Sequence, residues 1–321
     1  MNYKHIFNAS LFCLSLIFMM SCESGKTKRI NDEVKKERST QVSREVVVEN
    51  ISDKKYDLSY FSGKAEVSTY ELQKARYNGV HPGEAVLIFV TEPFLIDKQV
   101  KSDRPKESNS VSVLKMNRID RFSTGVYDYS IFTSVFTPIN KFDPTYPLKI
   151  TLSSQDWCGQ TFMQLNNNEG FNYMLRSYFE SEGDTTQHLD YIFTEDNLFN
   201  LARIDTALLP KGEFEVVPTM SHLRLSHSPL HSYVANASLA VLENQIVYSY
   251  DIPELGRGVR VFINPKNKFQ IVRWEETYPT VFDGKLRKST YTLKKSERLS
   301  YWKLNQTKDT NWRDSLQLKF N

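Results

Sequence analysis

Residues 127–137 read YDYSIFTSVFT, a run in which aromatic and β-branched side chains recur between small polar ones. Side chains on a strand point alternately to its two faces, so such a run suits a half-buried pleated surface and fits poorly on a helix. The same character returns along the chain in residues 85–91 (AVLIFVT), 148–152, 245–250, 259–263 and 269–274, with Gly, Pro, Asn and Asp between the runs. These spacings predict a mainly β fold.

Two hairpins can be read outward from these runs. Residues 259–263 connect to 269–274 through Asn264, Pro265, Lys266, Asn267 and Lys268, and the Asp283-Gly284 dipeptide has the chemistry of a type I′ turn between 280–282 and 285–290. Short connections of this kind make antiparallel ladders. Residues 65–77 (AEVSTYELQKARY) fit a helix or a strand, and Asn78-Gly79 after them favours the strand. Helical signal is thin: Asp196 is placed to cap one helix over 197–209, ended by Pro210 and Gly212. Residues 97–110 and 166–170 read as polar loops. The expected fold is one large, curved antiparallel sheet, half-barrel-like, with one or two short helices. It occupies residues 46–321 as a single domain, or as two lobes meeting near 205–220.

The N-terminus carries an address. Lys4 and His5 precede a largely apolar run, IFNASLFCLSLIFMM, over residues 6–20, with Ser21 and Cys22 after it. Fifteen helical residues reach roughly 22 Å, short of the ~30 Å hydrocarbon core of a bilayer, so residues 1–21 read as a signal peptide to be cut. Ser21 directly before Cys22 resembles a bacterial lipobox, which implies acylation of Cys22 and anchoring to the membrane of the cell envelope by more than one chain. Residues 22–45 follow as a flexible tether, with no aromatic residue and with charges of both signs.

Composition narrows the function. The 321 residues hold 41 Lys or Arg and 38 Asp or Glu, and loss of residues 1–21 removes Lys4 and no acid, which leaves 40 and 38. A balance so near neutral excludes a dedicated nucleic-acid binder. Of three cysteines, Cys13 leaves with the signal and Cys22 is acylated, so Cys158 is the remaining thiol. The sequence contains no G-x-S-x-G elbow, P-loop, zincin helix or dinucleotide fingerprint. No cofactor is expected.

Trp157-Cys158-Gly159-Gln160-Thr161 looks like a thioredoxin loop whose second cysteine is Thr161. Without a resolving thiol, the favoured reading is a small buried residue beside a core Trp, and a monothiol redox protein or exported hydrolase centred on Cys158 is the alternative. His222, His227 and His231 are weak metal candidates, since neither strand nor helix spacing brings all three to one point. Glu275-Glu276 and Glu195-Asp196 read as solvated surface. Among the many aromatics, Tyr127, Tyr129 and Phe132, with Trp157 and Cys158, are the candidates for a ligand-facing or reactive surface.

Residues 75–94 (ARYNGVHPGEAVLIFVTEPF), 113–136 (VLKMNRIDRFSTGVYDYSIFTSVF) and 153–166 (SSQDWCGQTFMQLN) resemble a family of uncharacterised Bacteroidota lipoproteins whose members are often labelled septum formation inhibitor Maf. The resemblance covers most of residues 60–280. Proteins that truly earn that label are cytoplasmic pyrophosphatases of α/β fold with paired arginines near the start, and this chain has no Arg-Arg dipeptide. What the resemblance implies is therefore an exported lipoprotein. A lipobox followed by long strands also looks like the curved half-barrels of lipoprotein carriers. The resulting expectation is a lipid-anchored, non-catalytic protein of the outer membrane or periplasmic face. It would bind an apolar ligand or an envelope protein in the concave face of its sheet, or serve as a structural scaffold.

Overall fold

A computed structural model describes residues 62–103, 109–139 and 142–319. The signal peptide, Cys22 and the tether lie outside these residues, as does part of the polar loop 97–110.

In chain order the elements are β1 (Ala65–Arg76), β2 (Gly79–Leu95), β3 (Val100–Lys101), β4 (Ser110–Thr124), β5 (Tyr127–Pro138), β6 (Lys149–Asp156), β7 (Gly159–Asn167), β8 (Phe171–Ser177), β9 (Thr185–Leu189) and β10 (Phe193–Thr194). Then come helix α1 (Leu198–Ile204), β11 (Gly212–Val217), helix α2 (Met220–Ser226), β12 (Tyr233–Leu242), β13 (Gln245–Ile252), β14 (Arg257–Asn264), β15 (Gln270–Pro279), β16 (Leu286–Leu299) and helix α3 (Asn311–Ser315). The strands form one open sheet in the order β10-β11-β12-β13-β14-β15-β16-β1-β2-β4-β5-β6-β7-β8-β9, with β3 paired to β2. Every pairing is antiparallel except β10 with β11. The mainly β expectation holds, on a scale of sixteen strands.

Alternation along the strands sorts the two faces. Tyr70, Leu72, Lys74 and Arg76 of β1, Met116, Arg118, Asp120 and Phe122 of β4, and Trp274, Glu276 and Tyr278 of β15 all point to the concave side. There, one continuous core runs from the β1–β9 side, through α1 and α2, to β10–β16. Trp274 sits at its centre, stacked on Tyr291 at 4.1 Å and edge-on to Phe199 of α1 at 5.0 Å and Tyr70 at 4.8 Å. Asn200 fixes α1 to the sheet: its Nδ2 donates to Thr137 Oγ1 (2.6 Å) and to the Leu114 carbonyl (3.1 Å), which leaves little freedom for the helix to slide. On the convex side the C-terminal segment covers β1 and β16, with Leu316 buried beside Val67 and Leu299 and the Thr69 hydroxyl donating to the Leu316 carbonyl at 2.7 Å.

Several local expectations change. Residues 65–76 are a strand. The helix read over 197–209 is broken: a 3-10 turn (Glu195–Asn197), α1, then a second 3-10 turn (Thr206–Leu208), with Asp205 in extended backbone between the last two. Asp196 does not cap α1. Its carboxylate turns to α2, a helix that the sequence did not suggest because seven residues between prolines are too few to show a helical period. The turn at Asp283-Gly284 is wider than type I′. Thr280 N–H donates to the Lys285 carbonyl, only Gly284 of the dipeptide has positive φ, and Asp283 is held by Arg287. Two residues of the polar loop form β3. No described helix is long and apolar enough to cross a membrane.

Candidate functional site

The concave face holds a buried network of charges. Arg118 and Asp120, two apart on β4, share a face, and the guanidinium donates to both Asp120 oxygens and, from Nη2, to Glu276 Oε1 at 3.0 Å and the Tyr291 hydroxyl at 2.7 Å. Lys74 Nζ donates to the Tyr291 hydroxyl (3.2 Å) and lies 3.8 Å from Glu276 Oε2. Arg257 at the start of β14 pairs with Glu195, stands 3.9 Å from Glu276 and donates to His222 Nδ1 at 3.3 Å. Glu276 thus faces three cations. Burial pushes its carboxyl up, but Arg118, Lys74 and Arg257 outweigh burial and hold it well below the usual range.

The acids of residues 195 and 196 dock α2. Glu195 Oε2 accepts the Thr219 N–H at 3.2 Å and Asp196 Oδ2 the Met220 N–H at 2.8 Å, while Thr219 Oγ1 caps the helix through the His222 N–H. These contacts satisfy backbone donors that a helix leaves unpaired at its start. Burial, opposed by the Met220 bond and reinforced by Glu195, pushes Asp196 up to about 7. Burial and the neighbouring Arg257 push His222 well below its ordinary value, so it is a neutral ring.

The remaining volume is small. Two cavities flank Glu276, of about 10 and 20 Å³, each with room for about one water. The space under the sheet is filled by α1, α2 and side chains. Larger open depressions, of about 480 and 410 Å³, lie over β6–β8 and β7–β9 and are lined largely by Ser, Gln, Asn, Thr and Arg side chains.

The residues singled out from the sequence go to different places. Trp157 and Cys158 are the two turn residues between β6 and β7, both exposed, and the Cys158 N–H bonds to Asp156 Oδ1 at 2.7 Å. The reading of a buried cysteine beside a core Trp is thereby overturned: an aspartate-fixed hairpin turn carries both side chains into solvent, and the cysteine is at no helix N-terminus. Phe132 points to the convex face, half-exposed, and so does not line the core. Tyr127 and Tyr129 do face inward. The Tyr127 hydroxyl donates to that of Tyr77 at 2.7 Å, and the Tyr77 and Tyr129 hydroxyls are 2.6 Å apart. Burial pushes Tyr77 up, yet those bonds and the Arg76 charge leave it below its ordinary value, while burial and the bond to Tyr77 raise Tyr129. His222 is buried on α2, His227 bonds to Glu182 at 2.8 Å, and His231 stacks on Tyr233 at 4.0 Å, so the three do not converge. Among the described residues no His, Cys, Asp and Glu group forms a metal-binding set. Glu275-Glu276 and Glu195-Asp196 are buried, not solvated. Glu275 and Glu276 do point to opposite faces, with Glu275 bonded to Arg273 and Lys288 on the convex side.

A second feature emerges from topology. In an antiparallel order, the turns β15–β16, β1–β2, β4–β5, β6–β7 and β8–β9 are consecutive along one end of the sheet, about 10 Å apart at two strand spacings each. Four of them carry large, highly exposed side chains: Phe282 (67%), Val126 (80%), Trp157 (70%) and Tyr178 (76%). The fifth carries Tyr77. The chain enters β1 from the opposite end. Segments 124–128, 155–160, 176–185 and 280–287 hold six carboxylates (Asp128, Asp156, Glu180, Glu182, Asp184 and Asp283) against Arg176, Lys285 and Arg287.

No family model, curated protein or solved structure matches this chain.

Proposed function

We propose that the chain is an exported protein held to the cell envelope through acylated Cys22, and that it works by recognition, not catalysis. Its partner is a protein with apolar sockets and a basic surround that docks on the hairpin row of Phe282, Val126, Trp157 and Tyr178. The carrying observation is the alignment of these four exposed side chains along one end of a sheet whose interior is already filled. Scattered exposed apolar residues are ordinary, but a row at four of five consecutive turns is the form of an interaction surface. The acids beside the tips favour a basic protein surface and disfavour anionic lipid headgroups. The envelope location is supported by the lipobox-like Ser21-Cys22 and the apolar run before it.

Two measurements test this reading separately. Metabolic labelling with palmitate is expected to mark the parent and not Cys22→Ser; equal labelling of the two overturns the anchor. Native mass spectrometry of the detergent-extracted protein is expected to show a bound protein that is lost from a Trp157→Ser, Phe282→Ser double variant with unchanged melting temperature. A partner retained by that variant, or binding of the parent to anionic vesicles that depends on Trp157, overturns the docking surface.

A further inference from the structure

The two ends of the sheet differ in charge. Opposite the hairpin row, the middle of the sheet presents three neighbouring connections: the β14–β15 turn, the entry of the chain into β1 beside the exit of β16, and the β2–β4 connection that includes β3. Among the described residues these carry exposed Lys266 and Lys268, Lys64 and Lys303, and Lys98 and Lys101, against exposed Asp97 and Asp103. Glu92 beside them is shared by Lys101 and Lys115. The outer turns of the same end carry acids (Glu243, Asp143, Glu169 and Asp190), which confines the cationic patch to the middle.

Aromatic side chains accompany the lysines. Ser300 Oγ donates to the Gly63 carbonyl at 3.1 Å, which holds the exit of β16 against the entry of the chain, and Tyr301 and Trp302 follow directly. Trp302 is 43% exposed, Val100 of β3 44% and Trp312, farther along the same segment, 41%. Burial and the Glu92 charge raise Tyr301, so the two sides of the patch meet at Glu92, which also pairs with Lys101. Trp, Tyr and Lys together suit the headgroup zone of a bilayer, where amphipathic rings settle and a lysine stem lies along apolar surface with its ammonium among phosphates. The course of the chain says what faces this patch. Residues 22–61 arrive at this end of the sheet, whatever path they take, so an acyl group on Cys22 leashes the patch to the bilayer. A leashed surface engages at an affinity too weak to hold a free one.

We propose that this end of the sheet lies on the anionic headgroups of the membrane that holds Cys22, with Trp302 at headgroup level and the hairpin row pointing away from the bilayer. This orientation rests on the acyl anchor proposed above, and the acids at the hairpin tips favour it, because the same headgroups repel them. The test reconstitutes the full-length, detergent-extracted protein into vesicles and reads tryptophan quenching by brominated acyl chains. Trp274 is in the core and Trp157 at the far end, so the quenched residues are Trp302 and Trp312. Quenching is expected in vesicles containing phosphatidylglycerol, and is expected to fall severalfold in pure phosphatidylcholine or at high salt. It is expected to be lost in Trp302→Phe, Trp312→Phe and kept in Trp157→Phe. In a Lys64→Gln, Lys266→Gln, Lys303→Gln variant of unchanged melting temperature, the ratio of engaged to disengaged protein is expected to drop about fivefold per lysine removed. The lysine variant carries the test alone if the tryptophan variant does not fold. A parent that fails to float with phosphatidylcholine vesicles overturns the anchor, and the orientation with it. A parent that floats but is unquenched, which would leave the patch to an acidic protein, overturns the orientation alone. So does quenching that is equal in the two lipids, unchanged in the lysine variant, or lost through Trp157→Phe.

Discussion

Arg118 and Glu276 stand on strands four places apart in the sheet, β4 and β15, yet Nη2 and Oε1 are 3.0 Å apart. In a flat sheet their backbones would be about 19 Å from one another, so the contact records how strongly the sheet curls around its core. It also sets a stability expectation. Glu276→Gln leaves Lys74, Arg118 and Arg257 short of a shared counter-charge in a dry interior and is expected to cost about 3–5 kcal/mol. The urea midpoint measures it. Because the residues act as one network, Arg118→Met combined with Glu276→Gln is expected to cost less than the two single changes added together. Strict additivity would show that the network does not operate as a unit.

Asp196 makes stability depend on pH in a defined direction. Its folded value, about 7, lies above the ordinary aspartate value of 3.8, so the folded state binds more protons between those limits. Its stabilising contribution is complete below the unfolded value and is lost as pH rises through the folded one. The loss amounts to at most about 4 kcal/mol, at 1.36 kcal/mol per tenfold change in proton affinity. Groups acting on it include Glu195, Arg118, Arg257 and the Met220 N–H, and His222 titrates with the opposite slope nearby. The informative quantity is therefore parent minus Asp196→Asn. Unfolding free energies from pH 4 to 8 are expected to show the parent losing stability relative to the variant, which keeps an acceptor for Met220.

The strands were legible because their alternation is local: YDYSIFTSVFT places Tyr129, Ile131 and Val135 on the core side with no knowledge of any other segment. The charged core was not. On β4 the inward residues are Met116, Arg118, Asp120 and Phe122, and nothing nearby in the chain tells a reader that Arg118 will meet Glu276, 158 positions later. Acidic pairs default to surface for the same reason. The hairpin row needed the strand order, because adjacent turns at one end of the sheet come from segments as distant as 77 and 282.

Cys158 is expected to behave as a thiol on an unhindered turn. It is exposed, and its loop is held by Asp156 acting on the backbone, independently of the sulfur. Native and urea-unfolded protein should therefore react with a maleimide at comparable rates, and Cys158→Ser should shift stability by less than about 0.5 kcal/mol. Protection of the native thiol by more than tenfold would contradict its placement.

Gly83 tests the close approach of β2 and β4. It faces Phe122 across the ladder, and a Cβ added there would stand within 2.7 Å of Phe122 Cβ and closer still to the Arg121 carbonyl oxygen. Both obstacles are backbone or backbone-adjacent, so neither moves without shifting β4, and β4 carries Arg118 and Asp120 on the same side as Phe122. Gly83→Ala is expected to destabilise by about 1–3 kcal/mol through overpacking, despite alanine's lower cost in unfolded-chain entropy. Gly125 supplies the comparison. It lies at the β4–β5 turn with open space around it but with positive φ, so Gly125→Ala strains the backbone and meets no neighbour. A change at Gly83 that costs less than the change at Gly125 would show that β2 and β4 are not in such close contact.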